Sequence, residues 1–340
     1  MELILANKHF VDEKRIFNAA IDVQLGDTND FEIKIKRGDY DSEYKCGNII
    51  YAPQTEYGGV IGEINTQTSL DIITCKGFVW RGILDKKIIK PPEGQSHKTV
   101  SGEINSILKS LINEAGLSGV FSVSDENTGK VIEEYKIDRY TTLLSGIQKM
   151  LKSVGYKLTI KYMQQERGLP GLVKLSATPI IDFSSRIELS EDYQLDFKFK
   201  DVKNGVNHLI CLGKGENENR VVIDLYIQRD GSVGAVQEYE GIEEVAQIFE
   251  DANSEADDLR VRGIEKLLEL ANHTEFEMDV ATLNLDVDIG DIVGGRDYIT
   301  GLYAKKPIKE KTWRFENGKE SIEYIPEGND VDSEGGIEYE

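Results

Sequence analysis

The sequence predicts an α+β fold that is rich in β-structure. Two observations carry this prediction: apolar and polar residues alternate in short segments towards both ends of the chain, and the apolar spacing becomes helical after the break at Pro91-Pro92. The chain has 340 residues, of which 39% are hydrophobic. This length and composition suit two or three domains with their own cores and exclude wholesale disorder.

Residues 1–92 are predicted to form a first β domain. Residues 19–25 and 31–35 alternate between apolar and polar positions, and a turn-rich stretch, 26–30, lies between them. This pattern predicts a hairpin with one buried face. Further short strands are expected at 1–5, 48–51, 59–65 and 69–75. Together they predict a Greek-key sandwich or a small barrel.

The periodicity changes in residues 93–180, which are predicted to form an α/β insert. Two apolar helical faces are formed by Val100, Ile104, Ile107, Leu108, Leu111 and Ala115, and by Leu143, Leu144, Ile147, Met150, Leu151 and Val154. Gly116 and Gly155 are placed to end these helices, and Thr141 is placed to cap the second. Strands are expected at 156–162 and 173–177, so the insert combines two helices with a short sheet.

Residues 181–326 are predicted to form a second β domain with strands at 206–212 and 221–227. A helical insertion is expected at about 241–273. Its first helix is indicated by the spacing of Ile242, Val245, Ala246 and Phe249. The pair Ser254 and Asp257 has the spacing of a capping box, which favours a separate second helix.

The end of the chain returns to a β pattern. Residues 283–289 alternate between apolar and polar positions, and Asn317-Gly318 is the favoured dipeptide of a tight hairpin. Residues 327–340 are acidic and glycine-containing, and we expect them to form a flexible tail.

Charge and cysteine content narrow the functional classes. The formal net charge is −21, so the chain repels phosphate backbones and is not expected to bind a specific nucleic acid. Cys46, Cys75 and Cys211 are too few and too scattered for a disulfide framework. Residues 1–5 resemble a first strand rather than a signal peptide, and no apolar run approaches about 18 residues, so cytoplasmic synthesis without membrane insertion is expected.

Two short motifs resemble ion-binding sites. Asp286, Asp288 and Asp291 have the look of a calcium loop, but apolar residues alternate with the first two and no bidentate acid follows, so a strand ending in a turn is favoured. Glycines flank Lys214 as in a phosphate cradle, but no helix is expected behind them, and a hairpin tip is favoured.

Acid pairs and histidines give no recognisable catalytic arrangement. The adjacent acid pairs are Glu133/Glu134, Glu191/Asp192, Glu243/Glu244 and Asp257/Asp258, and the histidines are His9, His97, His208 and His273. With 61 acids in the chain, such pairs are expected by composition, and the histidines have no metal-ligand spacing. We therefore predict no catalytic residue, no metal ligand and no cofactor.

One internal echo suggests a duplicated domain. Gly47-Asn48-Ile49-Ile50 is followed by Gly58, and Gly290-Asp291-Ile292-Val293 is followed by Gly301. In both cases a glycine and an Asx residue precede an apolar strand, and the second glycine stands eleven residues after the first. The echo favours two β domains of one design, one near each end of the chain.

The run from Gly77 to Pro92 resembles the hub proteins of tailed-phage tail tips. That family typically shows a glycine, an apolar stretch and Leu-Leu-Asp-Arg-Arg-Ile-Ile before a Pro-rich segment. Here the corresponding residues are Ile83-Leu84-Asp85-Lys86-Lys87-Ile88-Ile89, with lysines in place of the usual arginines. Residues 140–162 and 289–293 also fit, so the resemblance extends to about residue 326.

The resemblance implies a structural baseplate hub or tail-tip hub of a siphophage, a contractile phage or a tailocin. It implies two related tube-like β domains separated by an α/β insert, and a homotrimer beneath the hexameric tail tube. Three chains with two like domains each supply six similar positions. Expected partners are the tail tube protein, the tape measure protein and baseplate, spike or tail-fibre proteins, with assembly in the host bacterial cytoplasm.

Two alternatives stay open at this point. Some hubs carry a C-terminal peptidoglycan hydrolase, for which this sequence leaves no room, so enzymatic activity is not expected. A cell-wall hydrolase is nevertheless one alternative, with Glu133 or Asp138 as its acids. The other is a carbohydrate-binding adhesin that uses Trp80 or Trp313 as a sugar platform.

Overall fold

The computed structural model describes residues 2–166, 168–184, 197–278, 287–296, 299–316 and 318–327, with the backbone alone at 197–201 and 273–278. These residues belong to two compact units. Unit 1 takes the described residues within Met1–Leu195, Asp279–Val293 and Pro307–Pro326. Unit 2 takes those within Asp196–Met278, Gly294–Lys306 and Glu327–Glu340. The predictions made for Glu191, Asp192, Asp286, Asn317 and the tail 328–340 concern residues outside the described ranges.

The first part of unit 1 is almost entirely β-structure. Its elements are β1 (Leu3–Ala6), β2 (Asp12–Ile16), β3 (Ala19–Leu25), β4 (Asp30–Lys36), β5 (Ile49–Tyr51), β6 (Gly58–Thr66), β7 (Ile72–Val79) and helix α1 (Trp80–Asp85). The β3–β4 hairpin predicted from the alternating pattern is confirmed, since the two strands pair antiparallel from Ala19 opposite Ile35 onward. Its apolar positions are buried and its polar positions face solvent.

The insert contains two longer helices and two small sheets. Its elements are β8 (Lys98–Glu103), α2 (Ile104–Glu114), β9 (Phe121–Val123), β10 (Val131–Ile137), α3 (Leu143–Lys152), β11 (Tyr156–Met163) and β12 (Leu172–Pro179). Strand β8 pairs with β10, and the second sheet has the order β11-β12-β9. Both predicted helices are confirmed, although Val100 belongs to β8 and the cap of α3 is Thr142, which accepts a hydrogen bond from the Ser145 amide.

The rest of the chain contributes strands to both units. Its elements are β13 (Phe197–Val202), β14 (His208–Leu212), β15 (Val222–Ile227), β16 (Val233–Gly234), β17 (Ala246–Glu250), α4 (Ala256–Leu270), β18 (His273–Met278), β19 (Ile292–Arg296), β20 (Tyr303–Glu316) and β21 (Lys319–Pro326). The predicted strands at 206–212 and 221–227 and the hairpin formed by β20 and β21 are confirmed.

The main sheet joins the two ends of the chain. Within the described ranges it has ten strands, in the order β19-β20-β3-β4-β7-β6-β5-β1-β2, with β21 paired to β20. Strand β20 runs antiparallel to β3, with Trp313 opposite Val23. The insert packs on this sheet through one continuous core, because Ile4, Tyr51 and Trp80 belong to the same apolar cluster as the buried faces of α2 and α3. The α+β, β-rich class predicted from the sequence is thereby confirmed.

Unit 2 contains a four-stranded sheet, β16-β15-β14-β17, and helix α4 packs on one face of it. The helix predicted over Ile242 to Phe249 is wrong, because Ala246–Glu250 is strand β17, which pairs in parallel with β14. The predicted capping box is also wrong. The Ser254 hydroxyl donates to the Asp251 carboxylate at 2.8 Å, and α4 begins after Glu255. No helix among the described residues is long and apolar enough to cross a bilayer.

Candidate functional site

Unit 1 contains a cluster of six ionisable side chains, five of them buried and the sixth, Asp288, half-buried, which we call the ionic junction. Its members are Glu56, Arg81, Lys157, Asp288, Asp291 and Lys311. Three are cations and three are anions, so the formal charges of the cluster balance. The six residues come from the first β domain, the insert and the end of the chain. The ionic junction is therefore where separate segments of the sequence meet.

Asp291 occupies the centre of the ionic junction and has no solvent exposure. Its Oδ2 accepts a hydrogen bond from Lys157 Nζ at 2.5 Å and another from the Asp288 amide at 3.0 Å. Its Oδ1 accepts from the Ile181 amide at 2.9 Å. The preceding residue, Gly290, has φ +93°, and a Cβ there would lie 3.3 Å from Lys157 Cβ. A tight glycine turn thus brings the carboxylate against the insert.

Lys311 on β20 forms the second cationic centre. Its Nζ donates to Asp288 Oδ1 at 2.9 Å and to the Val287 carbonyl at 3.1 Å. The ammonium also lies 5.3 Å from the ring centroid of Tyr57. Burial alone would lower the pKa of Lys311, but Asp288, Tyr57 and Glu56 together outweigh burial and raise that pKa.

Asp288 shows the complementary effect. Burial would raise the pKa of its carboxyl, but the positive charges of Lys311 and Lys157 lower it below its usual value. Lys157 Nζ lies 3.7 Å from Asp288 Oδ2, so Asp288 lies between two ammonium groups. The calcium-loop hypothesis does not fit this environment: lysines occupy the two described carboxylates, and no cluster suited to a metal ion occurs among the residues that the structure describes.

Arg81 and Glu56 form the other pair of the ionic junction. Arg81 Nε donates to Glu56 Oε2 at 2.9 Å, and a terminal guanidinium nitrogen donates to the Leu158 carbonyl at 3.2 Å. Both side chains are buried. Arg81 belongs to α1 and Leu158 to β11, so this pair attaches the insert to the first β domain. Arg81 lies in the run Gly77–Pro92 that the sequence analysis singled out, but no sequence pattern indicated that Glu56 would be its partner.

An aromatic cluster lies at the same contact between the sheet and the insert. The rings of Tyr51 and Tyr162 stack with centroids 3.7 Å apart, and Trp80 lies 5.7 Å from Tyr162. Tyr51 also donates its hydroxyl proton to Asp12 at 2.6 Å. Trp80 and Trp313 are both fully buried, so neither indole offers the exposed platform that the adhesin alternative requires.

The main sheet has a second notable surface, its solvent side, which we call the charged face. A row of charged residues crosses five paired strands from β20 to β6: Arg314, Asp22, Glu32, Lys76 and Glu63. Arg314 binds Asp22 at 2.9 Å, and Lys76 binds Glu32 at 2.7 Å. The charged face thus carries both signs in ion pairs, while the opposite face of the same strands is apolar and buried.

The remaining sequence candidates do not converge on a site. Lys214 lies between β14 and β15, as expected for a hairpin tip, and binds Glu255. Glu133 is exposed on β10, and Asp138 is exposed and binds Lys149 at 2.8 Å. Neither carboxylate has the buried environment of a general acid. Cys75 and Cys211 are buried free thiols, and Cys46 is an exposed one.

His208 in unit 2 has partners that the sequence did not reveal. Its Nδ1 lies 2.7 Å from Glu244 Oε1 and its Nε2 lies 3.0 Å from Asp224 Oδ1. Partial burial alone would lower the pKa of His208, but the hydrogen bonds to the two carboxylates raise it above 6.5. Strand alternation places Asp224 beside His208. Glu244 lies two residues before strand β17, which was not predicted, and the pairing of β17 with β14 brings it close to His208.

Comparisons with known proteins identify the fold. The chain is similar to the crystal structure of prophage tail protein gp18 from Listeria monocytogenes, with a TM-score of 0.52 and 13% identity over 98% of this chain and 96% of that chain. It is also similar to the 43 kDa tail protein of prophage MuSo2 from Shewanella oneidensis, with a TM-score of 0.50 and 13% identity over 98% of this chain and 100% of that chain. No family model and no curated protein matches the sequence. The likeness confirms that the chain has a tail-protein fold.

Proposed function

We propose that this protein is a structural hub subunit of a phage or phage-tail-like particle. In this role it closes the distal end of the tail tube and connects it to baseplate, spike or receptor-binding components. The observation that carries the proposal is the fold, which is shared over 98% of the chain with two prophage tail proteins. The match extends over 96% and 100% of those two chains.

The proposed assembly is a homotrimer in which each chain supplies two tube-like domains, residues 1–92 and 181–326. Local geometry supports a duplicated element: Gly47 and Gly290 have φ of +90° and +93°. Each is followed by a buried Asx residue and by a strand that starts two residues after the glycine. Two like elements in each of three chains match a sixfold tube to a threefold tip.

The charged face supports a role around a passage. Because its acids and bases are paired with each other, the charged face leaves few strongly attractive sites for a passing DNA or protein. We propose that this face lines the lumen, through which the tape measure protein and DNA move without adhering. The ionic junction would then keep the insert and the sheet in a fixed geometry under the load of assembly.

We propose that the protein has no catalytic activity of its own. The two acids that the sequence suggested for a hydrolase, Glu133 and Asp138, are both exposed, so neither has the buried environment that raises the pKa of a general acid. Zymography of the purified chain on bacterial cell walls tests this directly. Clearing that disappears in Glu133→Gln or Asp138→Asn would contradict it.

The decisive experiment locates the protein in assembled particles. Cryo-electron microscopy of particles that contain the chain should show it as threefold density at the end of the tube. A trimer in solution should have three times the chain mass of 38.2 kDa, about 115 kDa, by light scattering. Sixfold placement along the tube, or absence from the particle, would overturn the proposal.

A further inference from the structure

The four-stranded sheet of unit 2 ends at β17. Its strands follow the order β16-β15-β14-β17, and β17 pairs in parallel with β14, with Ala246 opposite His208 and Glu250 opposite Leu212. Among the residues that the structure describes, no strand pairs with the other side of β17. We call this outer side the β17 edge.

Backbone amides and carbonyls point outward along the β17 edge. The His208 amide donates to the Val245 carbonyl at 3.2 Å. In a parallel ladder, every second residue of a strand bonds to a given neighbour. The odd-numbered residues of this strand therefore bond to β14, and the peptide groups of Ala246, Ile248 and Glu250 face away from it. They offer hydrogen-bonding groups to one further strand.

The β17 edge lacks the features that usually protect a free strand edge. Such edges are commonly interrupted by a bulge or carry Lys or Pro. Residues 246–250 are Ala-Gln-Ile-Phe-Glu, without Lys or Pro, and their register with β14 is continuous. Ile248, at the centre of the strand, is 61% exposed. The edge is therefore open to a partner strand.

The face of this sheet opposite α4 exposes apolar side chains. Cys211 of β14 is buried in the core beneath α4, so its neighbours Ile210 and Leu212 lie on the other face. Ile248 pairs with Ile210, and Val222 pairs with Leu212. Val222 is 53% exposed, so the apolar surface continues from β17 across the sheet. A strand added beside β17 can bury apolar side chains against this surface.

The surroundings of the β17 edge are acidic. Residues 230–259, which include the strand, contain ten acids and no Lys, Arg or His. Glu243 and Glu244 come just before the strand, and Glu250 is its last residue. Four of the ten acids form ion pairs with basic residues of unit 2: Lys214, Arg220, Arg229 and Arg262. An excess of negative charge remains, and it attracts a basic ligand.

We propose that the β17 edge binds an extended segment of a partner protein in which Lys or Arg residues alternate with apolar ones. Hydrogen bonds to the peptide groups of Ala246, Ile248 and Glu250 add this segment to the sheet as a further strand. Its apolar side chains pack beside Ile248, and its basic side chains offset the surrounding acids. The site consists of unit 2 residues alone, so it does not depend on the hub role.

A second copy of the chain fits the β17 edge less well than a basic segment. Two such edges facing each other bring the same acids together, and like charges across a strand pair are destabilising. Each chain also has a formal net charge of −21, which opposes the approach of another copy. A basic segment meets neither obstacle.

The test measures binding of synthetic peptides to the full-length chain. The basic peptide has about nine residues in which Lys alternates with Val, and the acidic peptide has Glu at every Lys position. Both peptides carry fluorescein, and anisotropy is followed in about 50 mM salt, where charge screening is weak. We expect the basic peptide to bind at least about tenfold more tightly than the acidic peptide, and its affinity should fall in about 300 mM salt.

Two proline variants test whether the strand edge itself is used. Ile248→Pro removes an outward-facing donor, whereas the bonds from β17 to β14 are formed by the neighbouring residues. Ile242→Pro is the matched control, because Ile242 is fully exposed, precedes the strand and lies in a turn position that favours proline. Ile248→Pro should weaken binding of the basic peptide at least about tenfold, and Ile242→Pro should keep it within about twofold. Matching thermal midpoints establish that both variants are folded.

Amide hydrogen exchange of the unaltered chain gives an independent readout. The amides of Ala246, Ile248 and Glu250 should exchange at least about fivefold more slowly when the basic peptide is bound, because they then donate to it. Exchange in β16, at the opposite end of the sheet, should not change.

Four results contradict the proposal: no binding of the basic peptide, equal binding of the two peptides, equal affinity of the two proline variants for the basic peptide, or no protection of the three β17 amides. Self-association of the unaltered chain that Ile248→Pro abolishes would place a second copy at the β17 edge. That outcome also overturns the assignment to a basic partner.

Discussion

The carboxylate of Asp291 holds together segments that are far apart in the sequence, and the residues around it in the sequence do not indicate these contacts. Its carboxylate satisfies two backbone amides and one ammonium group while fully buried. Lys157 precedes it by 134 residues. The alternating pattern around Asp288 predicts a strand end and a turn, and the turn is confirmed, since the Asp291 amide donates to the Asp288 carbonyl at 3.0 Å. It holds no information about a cation from another domain, so the ionic junction was missed.

The first prediction concerns removal of this carboxylate. Asp291→Asn keeps the shape of the side chain but removes the nearest counter-charge of the buried Lys157 ammonium. Asp288 Oδ2, 3.7 Å away, is the remaining carboxylate partner, and it is shared with Lys311. Removing one partner of a buried ion pair is strongly unfavourable, so we expect the free energy of unfolding to fall by roughly 3 kcal/mol. The urea midpoint of the full chain, followed by circular dichroism, measures this loss.

An exposed ion pair of the same unit supplies the control. Asp41 binds Lys14, and the side chains are 47% and 25% exposed. Asp41→Asn should therefore change the free energy of unfolding by less than about 1 kcal/mol. Equal losses for the two variants would mean that Asp291 contributes no more than an ordinary surface pair.

The second prediction concerns the pH dependence of unit 2. Because the pKa of His208 is raised in the folded state, its contribution to stability is complete below the unfolded pKa of about 6.5 and is lost as the pH rises through the folded pKa. His208→Gln removes both ion pairs and should lower the free energy of unfolding near pH 5.5. The loss should be only roughly 1 kcal/mol, because both carboxylate partners are partly exposed to solvent. Thermal midpoints of the two proteins should converge near pH 9. A difference that is constant with pH would show that His208 acts only by packing.

Among the helices and strands, those whose apolar spacing is regular over the whole element were predicted correctly from the sequence. The β3–β4 hairpin, α2, α3 and the strands on either side of residue 168 were predicted from alternation, helical spacing and glycine stops. Strand β17 was not, because Ile242, Val245, Ala246 and Phe249 have the i, i+3, i+4, i+7 spacing of a helix. Parallel pairing with β14 overrides that local preference, and pairing between distant segments is not encoded in spacing.

The third prediction concerns the packing of α4 on its sheet. Gly263 is buried in α4, and a Cβ there would lie 2.6 Å from Cys211 Sγ and 2.8 Å from Leu225 Cδ1. Gly263→Ala favours the helix by about 1 kcal/mol in intrinsic propensity. Overpacking against two fully buried side chains outweighs this gain, so we expect a net loss of roughly 1–3 kcal/mol.

Val261 supplies the matched position for this prediction. It lies on the same helix and is 58% exposed. Val261→Ala should leave the stability within about 0.5 kcal/mol of the unaltered chain. Thermal unfolding measures both variants. A stabilised Gly263→Ala chain would show that the helix can move away from the sheet at little cost.

At the scale of the whole molecule, the main sheet is completed only when the last strands are present. Arg314 and Asp22 pair across β20 and β3 although 292 residues separate them. Trp313 stacks on Tyr57 with centroids 4.6 Å apart, so the core of the first β domain includes a residue from the end of the chain. Such long-range pairing favours slow folding. The sequence predicted two β regions, but periodicity could not reveal that their strands share one sheet.

The fourth prediction follows from the net charge of the proposed trimer. Three chains of formal charge −21 carry −63 together, and their mutual repulsion opposes association. Salt shortens the Debye length from about 10 Å at 0.1 M to about 3 Å at 1 M and so weakens this repulsion. At a fixed protein concentration, the trimer fraction should therefore rise between about 20 mM and about 500 mM salt in sedimentation velocity. If the trimer dissociates instead as salt increases, complementary charges hold the subunits together, and the argument from net repulsion is wrong.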